Sequence, residues 1–322
     1  MSKKILVTGA AGQIGSELVP KLRSTYGNDA VVAGVHRASG GPTLSAGPIE
    51  VVDVGDPAAL ASVLTRHDVG TFYHLAALLS AVGEKDPQLA WKVNMDGLRN
   101  VLEACRTHGI SKVFWPSSIG VFGPDAPRTN AAQNVPLNPT TMYGVTKVSG
   151  ELLCNYYWLK YGLDVRILRY PGLISSESPP GGGTTDYAVE IFYSALEKGS
   201  YDCFLREDTV LPMMYMPDAL DATVKLMDAD LPRVPRHLGY NLAAISFSAG
   251  ELAGEISKHV PGFKVTYTPD SRQKIADSWP MSIDDREARA DWGWSHSYGL
   301  ESMTSDMLAK LGPRLSAKGK DV

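Results

Sequence analysis

Tyr143 and Lys147, in the run Tyr143-Gly-Val-Thr-Lys147, are the residues of this chain whose types and spacing most readily do chemistry. Four positions is about one helical turn, so a phenol and an ammonium would share one helix face. A phenol in water titrates near about 10, too high for a general base at neutral pH. A cation beside it in a partly dry cleft stabilises the phenolate and lowers that value. A tyrosine tuned in this way can take a proton from an alcohol. The pair also arises by chance in many helices, so its weight depends on what stands upstream.

Two serines supply a polar partner. Pro116-Ser117-Ser118-Ile119-Gly120-Val121-Phe122-Gly123 follows a short apolar run, Lys112-Val113-Phe114-Trp115. A hydroxyl there can hydrogen-bond a developing alkoxide or carbonyl and hold it near the tyrosine oxygen. A serine-capped turn is the plainer alternative. By residue type alone either Ser117 or Ser118 would serve.

These side chains need a scaffold, and the first half of the chain predicts one. Lys4-Ile5-Leu6-Val7-Thr8 reads as a buried parallel strand, and Gly9-Ala10-Ala11-Gly12-Gln13-Ile14-Gly15 leads from it into a helix over Ser16 to Leu22. Gly9 permits a tight turn, Gly12 lets backbone approach a pyrophosphate, and Gly15 allows the helix to pack closely on the strand. Phosphates would rest at the positive helix end. The spacing is G-x-x-G-x-x-G rather than G-x-G-x-x-G. Further strands are expected over Ala30 to Val35, Ile49 to Val52, Thr71 to Leu75, Lys112 to Trp115 and Asp164 to Arg169. Helices are expected over about Gln88 to His108 and Tyr143 to Tyr161. This alternation implies an α/β doubly wound parallel sheet with ligands at the carboxyl ends of its strands. Asp53, Ala76-Ala77, Ser117-Ser118 and Tyr170-Pro171-Gly172 all fall at such ends.

Composition narrows the class. A chain of 322 residues can bury a large core, and a net charge of −4 offers no basic field for nucleic acid or an anionic membrane. No apolar run reaches the length of a membrane span. The early first strand leaves no room for a targeting peptide, and three scattered cysteines fit neither a disulfide framework nor a zinc site. A cytoplasmic protein is expected. The seven histidines lack ligand spacing, so no metal is expected.

Thr8 to Gly15, Asp53, His74-Leu75-Ala76-Ala77, Val93-Asn94-Met95-Asp96-Gly97, Ser117-Ser118, Tyr143 with Lys147, and Arg169-Tyr170-Pro171-Gly172 together resemble the extended short-chain dehydrogenase/reductase family. The resemblance implies a Rossmann-type sheet over residues 1–172 and a smaller C-terminal substrate-binding lobe over 173–322. Segments at about 210–244 would return to the first domain. It implies NAD as cofactor, with Tyr143, Lys147 and Ser118 catalytic and Lys147 lowering the tyrosine pKa. Cofactor contacts are implied for Gly9, Gly12, Gln13, Ile14, Gly15, Asp53, Val54, Leu75, Ala76, Ala77, Asn94, Ser117, Tyr143, Lys147 and Tyr170. One departure stands out: Ala33-Gly34-Val35-His36-Arg37 lacks the carboxylate that usually ends the second strand and holds a ribose. Arg37 could instead stack on adenine or meet a 2′-phosphate, which keeps NADP open.

In the second half, Pro179-Pro-Gly-Gly-Gly-Thr-Thr-Asp-Tyr187 is a glycine-rich loop before a helix, a place able to hold a carboxylate. A flexible loop capped by Thr or Asp is equally compatible with its composition. Gly181 to Phe192, Leu211 to Ala219, Tyr240 to Ala244 and Arg272 to Pro280, with Leu78-Leu79-Ser80, are similar to the metal-independent L-threonine 3-dehydrogenase branch of that family. This implies L-threonine as substrate, contacts from Ser80, Ser118, Tyr143, Gly182, Thr184, Thr185 and Trp279, and a homodimer. Core packing is nearly as good an account of Trp279. A sugar-nucleotide epimerase or a non-catalytic NAD(P)-binding regulator are the rival readings.

Overall fold

The computed structural model describes residues 3–36 and 41–318. Among the described residues twelve strands are formed: β1 Lys4–Thr8, β2 Val31–Val35, β3 Ile49–Val51, β4 Val69–His74, β5 Lys112–Ser118, β6 Asp164–Tyr170, β7 Gly172–Ile174, β8 Ser200–Cys203, β9 Val210–Tyr215, β10 Tyr240–Asn241, β11 Ile245–Ser248 and β12 Lys264–Tyr267. Seven of them make one parallel sheet in the order β10-β6-β5-β4-β1-β2-β3. The order reverses between β1 and β4, and the crevice above such a reversal is where sheets of this kind take their ligands.

Both faces of the sheet are covered, which explains the unbroken apolar runs. Leu6, Val32, Val113 and Trp115 pack on one side with the helices Pro57–Arg66, Gly97–Thr107 and Met142–Tyr161. Their neighbours Val7, Val31, Ala33 and Phe114 point to the other side, under Gly15–Tyr26, Met216–Asp228 and Arg286–Trp292. Strand alternation thus splits each run between two cores.

A third core lies chiefly in the C-terminal half, among Tyr187–Lys198, Ala249–Ser257 and Leu300–Lys318 with Leu211, Phe247 and Trp279, and takes in Ile119, Val121 and Phe122 from the first half. Two small sheets serve the C-terminal half, β11-β9-β7 and β12-β8. Residues 210–244 contribute to two different sheets. β9 lies in the three-stranded sheet, whereas Met216–Asp228 packs on β6 and Gly15–Tyr26, and β10 becomes the seventh strand of the large sheet.

The helix expected over about 88 to 108 is interrupted. Pro87–Trp91 and Gly97–Thr107 are joined by a π-helical turn over Lys92–Asp96. One extra residue in a turn is invisible to a period count, and such bulges are often found at functional sites.

Candidate active site

The turn after β1 is built for close backbone approach. Gly9 has φ +73°, and a Cβ on it would lie 2.6 Å from the Ala76 nitrogen at the end of β4. A Cβ on Gly15 would meet the Gly9 carbonyl oxygen at 2.3 Å, so the helix Gly15–Tyr26 can start this close only with glycine there. Gln13 and Ile14 line a cavity at this helix start, together with Leu75 and Ala77. The Gln13 Nε2 group is buried there without a hydrogen-bond partner. A second cavity on the other side of the turn is lined by Gly9, Asp53, Val54, Ala76 and Ala77. Ala77 belongs to both, so the two form one trough across the carboxyl ends of β1 and β4. A glycine cradle, an unpartnered amide and a helix N-terminus fit the diphosphate of a dinucleotide.

At one end of the trough His36 Nε2 stands 3.8 Å from Asp53 Oδ2. A carboxylate missing from the end of β2 is thus present at the end of β3, facing the same cavity. Arg37 lies outside the described residues.

At the other end Tyr143 sits in the first turn of the helix Met142–Tyr161, which Thr141 caps by accepting the Gly144 N–H at 3.1 Å. Lys147, one turn on, donates to the Pro116 carbonyl at 2.6 Å, with its Nζ 4.5 Å from the Trp115 ring centre and 5.5 Å from that of Tyr143. Burial pushes the lysine down to about 7. Burial also pushes the Tyr143 phenol up, against the hydrogen bond from Ser118 that lowers it. The lowered phenol expected from sequence is therefore not what the structure holds. The ammonium that should lower it is itself desolvated and turned toward a backbone carbonyl.

Ser118 and Ser117 part company by strand alternation. Ser118 Oγ accepts the Gly120 N–H at 3.1 Å and lines the cavity beside Tyr143. Ser117 Oγ turns the other way and donates to Glu151 Oε1 at 2.6 Å. Its hydroxyl is thus taken by Glu151, while the residue still contributes to the cavity wall. Asn94, in the π turn, also works at one remove. It accepts the Leu78 N–H at 2.8 Å, donates to Leu78 O at 3.1 Å and to Thr146 Oγ1 at 3.2 Å, and so pins the loop after β4. Tyr170 lines the cavity, and its hydroxyl is bonded to Thr223.

The glycine-rich loop closes the same cavity from the C-terminal lobe. Thr184, Thr185 and Trp279 line it, as does Ser80 from the N-terminus of the short helix Ser80–Lys85. The Thr184 hydroxyl is buried and unpartnered. Trp279 is at once a core residue of that lobe and a cavity wall. Gly182 departs from expectation. With φ +85° it lies on the exposed outside of the turn, and Gly183 takes its place in the wall.

Residues 5–243 match the family described as NAD dependent epimerase/dehydratase. The chain belongs to that family. An uncharacterized epimerase/dehydratase of Staphylococcus haemolyticus is 49% identical over 96% of this chain and 98% of its own length. A GalE-like L-threonine dehydrogenase of Cupriavidus necator, solved in a holo form, is 50% identical with a TM-score of 0.94, covering 96% of this chain and 99% of that one. A monomeric L-threonine 3-dehydrogenase from a metagenome is 49% identical with a TM-score of 0.92, covering 96% and 99%.

As a member of the NAD dependent epimerase/dehydratase family, the chain shows three residues of the site that were not among the expected catalytic and binding contacts. Gly120 lies under the tyrosine: a Cβ there would come 3.1 Å from Tyr143 Cδ1 and Cε1. Asp186 holds the glycine loop, accepting the Gly181 N–H at 2.6 Å and the Gly183 N–H at 2.9 Å. His74 is buried at the end of β4 with Nδ1 3.0 Å from Thr8 Oγ1, and burial, reinforced by Lys147, holds it neutral at about 3. The glycine after two serines and the aspartate closing a Gly-Thr loop were signals available in the sequence.

Proposed function

We propose that this protein is an NAD-dependent L-threonine 3-dehydrogenase, oxidising the β-hydroxyl of L-threonine to 2-amino-3-oxobutanoate, without a metal. The observation that carries the reading is the meeting of Tyr143 and Ser118 with the Thr184–Thr185 loop at one end of the dinucleotide trough. The threonine dehydrogenases of similar fold support it at about half identity over nearly the whole chain.

NAD, when bound, supplies the hydride acceptor. The chain does the rest. Ser118 Oγ, oriented by the Gly120 N–H, donates to the substrate oxygen, and the Tyr143 oxygen receives its proton. Lys147, with its Nζ 5.5 Å from the Tyr143 ring centre, would serve the cofactor ribose. Ser80, Thr184, Thr185 and Trp279 surround the amino-acid end, and the unpartnered Thr184 hydroxyl is free to meet its carboxylate. Trp279 also excludes water from that end. Residues 1–172 would hold the cofactor and residues 173–322 mainly the substrate, with Met216–Asp228 and β10 serving the first part.

The product is a β-keto acid, which decarboxylates to aminoacetone or is cleaved with CoA to glycine. A cytoplasmic location is part of the reading, supported by three buried free cysteines. So is a homodimer, supported by exposed apolar residues on the helix Met142–Tyr161.

The test is NADH absorbance on mixing the protein with NAD and L-threonine. Turnover is expected with the wild type and abolished in Tyr143→Phe, while NAD affinity stays largely intact. Silence with threonine alongside activity on a sugar nucleotide would overturn the assignment.

A further inference from the structure

Behind the reacting side chains lies a fully buried charged cluster that the mechanism does not use. Glu151, one turn beyond Lys147 on the same helix, pairs with Arg169 of β6: Arg169 Nε donates to Oε1 at 2.8 Å and Nη2 to Oε2 at 2.7 Å. Ser117 of β5 adds a 2.6 Å bond to Oε1. Ser117, Glu151 and Arg169 are each at most 3% exposed. Arg169 reaches on to the Gln133 carbonyl and Asn241 Oδ1, at 3.1 and 3.2 Å.

Two consecutive strand residues are thereby fastened to the helix that carries Tyr143. The Pro116 carbonyl is held by Lys147 and the Ser117 hydroxyl by Glu151. Ser118 comes next, and alternation sends its side chain to the opposite side, into the cavity. In the sheet Ser117 stands level with Arg169 and Ser118 with Tyr170, so the same ion pair also locks the β5–β6 edge. A buried pair is poor evidence for stability but can fix a register, which is what this placement supplies.

We propose that Glu151 is a positioning residue which, through Ser117, sets the end of β5 against the helix so that Ser118 Oγ faces Tyr143. This rests on the dehydrogenase reading above. Neither Glu151 nor Ser117 touches the reacting atoms through its side chain.

Glu151→Gln leaves Arg169 buried and unpaired, so its failure to fold would not discriminate. Ser117→Ala is the informative variant, because the Glu151–Arg169 pair survives it. In the full-length protein, kcat with threonine is expected to fall on the order of tenfold or more, the size of effect a small misplacement produces. NAD affinity, read by fluorescence titration, should stay near the wild-type value, and Ser117→Thr should restore most of kcat. Unchanged kcat in Ser117→Ala would overturn the inference. So would an equal loss of NAD affinity that threonine at 117 does not rescue, since Ser117 would then be a cofactor contact. The wild type is assayed alongside. Its silence with threonine would sink the dehydrogenase reading and this inference with it, whereas an active wild type beside an equally active Ser117→Ala would sink this one alone.

Discussion

Burial works against the charged forms of both Tyr143 and Lys147. It pushes the phenol up and the ammonium down to about 7. A proton must leave the phenol before it can accept one from an alcohol. Turnover in the oxidation direction is therefore expected to rise with pH on the alkaline side, toward and above the ordinary phenol value of about 10, as the phenolate fraction grows. Lys147→Met removes the amine that holds the Pro116 carbonyl and stands beside the phenol, so kcat should drop while the rising limb stays where it is. A pH–rate profile of both proteins checks this, and a flat wild-type profile would remove Tyr143 from proton transfer. Much of this chemistry was legible in the residues: a Tyr-x-x-x-Lys pair and a double serine after a strand. The sign of the phenol's shift was not legible, because it depends on how far the lysine itself is dried and where its Nζ turns.

Among the elements, the loop at 181–186 has the least regular backbone and the clearest anchor. Asp186 takes two of its N–H groups, and a hydrogen bond to a charged acceptor is worth about 1.5–3 kcal/mol. Losing both in Asp186→Ala frees the loop rather than the core. KM for threonine is expected to rise about tenfold or more, the effect of roughly 1.4 kcal/mol, with NAD affinity unchanged. Steady-state kinetics beside an NAD titration would decide, and parallel losses in both would mean that the loop also shapes the cofactor trough. Composition allowed this loop to be either a carboxylate site or a capped flexible turn, and Asp186 carries the second idea in service of the first. Strands β1 to β6 of the large sheet were readable because each is a short run of strand-forming residues between turns and helices, whereas its two-residue seventh strand β10 was not. β7, β8, β11 and β12 were not. They are three or four residues long, half-exposed in places, and β8 finds its partner β12 across more than sixty residues. The π turn at Lys92–Asp96 escaped because period counting tolerates one added residue, yet it aims Asn94 at Leu78.

For the whole molecule, the helix Met142–Tyr161 has two faces with different fates. Lys147, Glu151 and Cys154 point inward, while Leu152 is 59% exposed, Tyr156 49% and Leu159 73%. Leu89 and Trp91, on the adjoining helix Pro87–Trp91, are also exposed. Contiguous apolar surface of this kind marks an interface more often than a solvated face. Sedimentation is expected to give twice the chain mass, and Leu152→Glu with Leu159→Glu together should return it to one. A wild type that sediments as a single chain, as its monomeric relative would, removes the dimer from the proposal. The network behind the serines has a consequence for assembly as well. It draws on residues 117, 133, 151, 169 and 241, and contacts that distant in sequence form only after long loops close. Strand β10, the outermost of the sheet and the last of its strands along the chain, supplies one of the final pieces. An emerging or refolding molecule that has not yet placed residue 241 would therefore carry every catalytic side chain while Arg169, the anchor of Glu151, still lacked one of its partners.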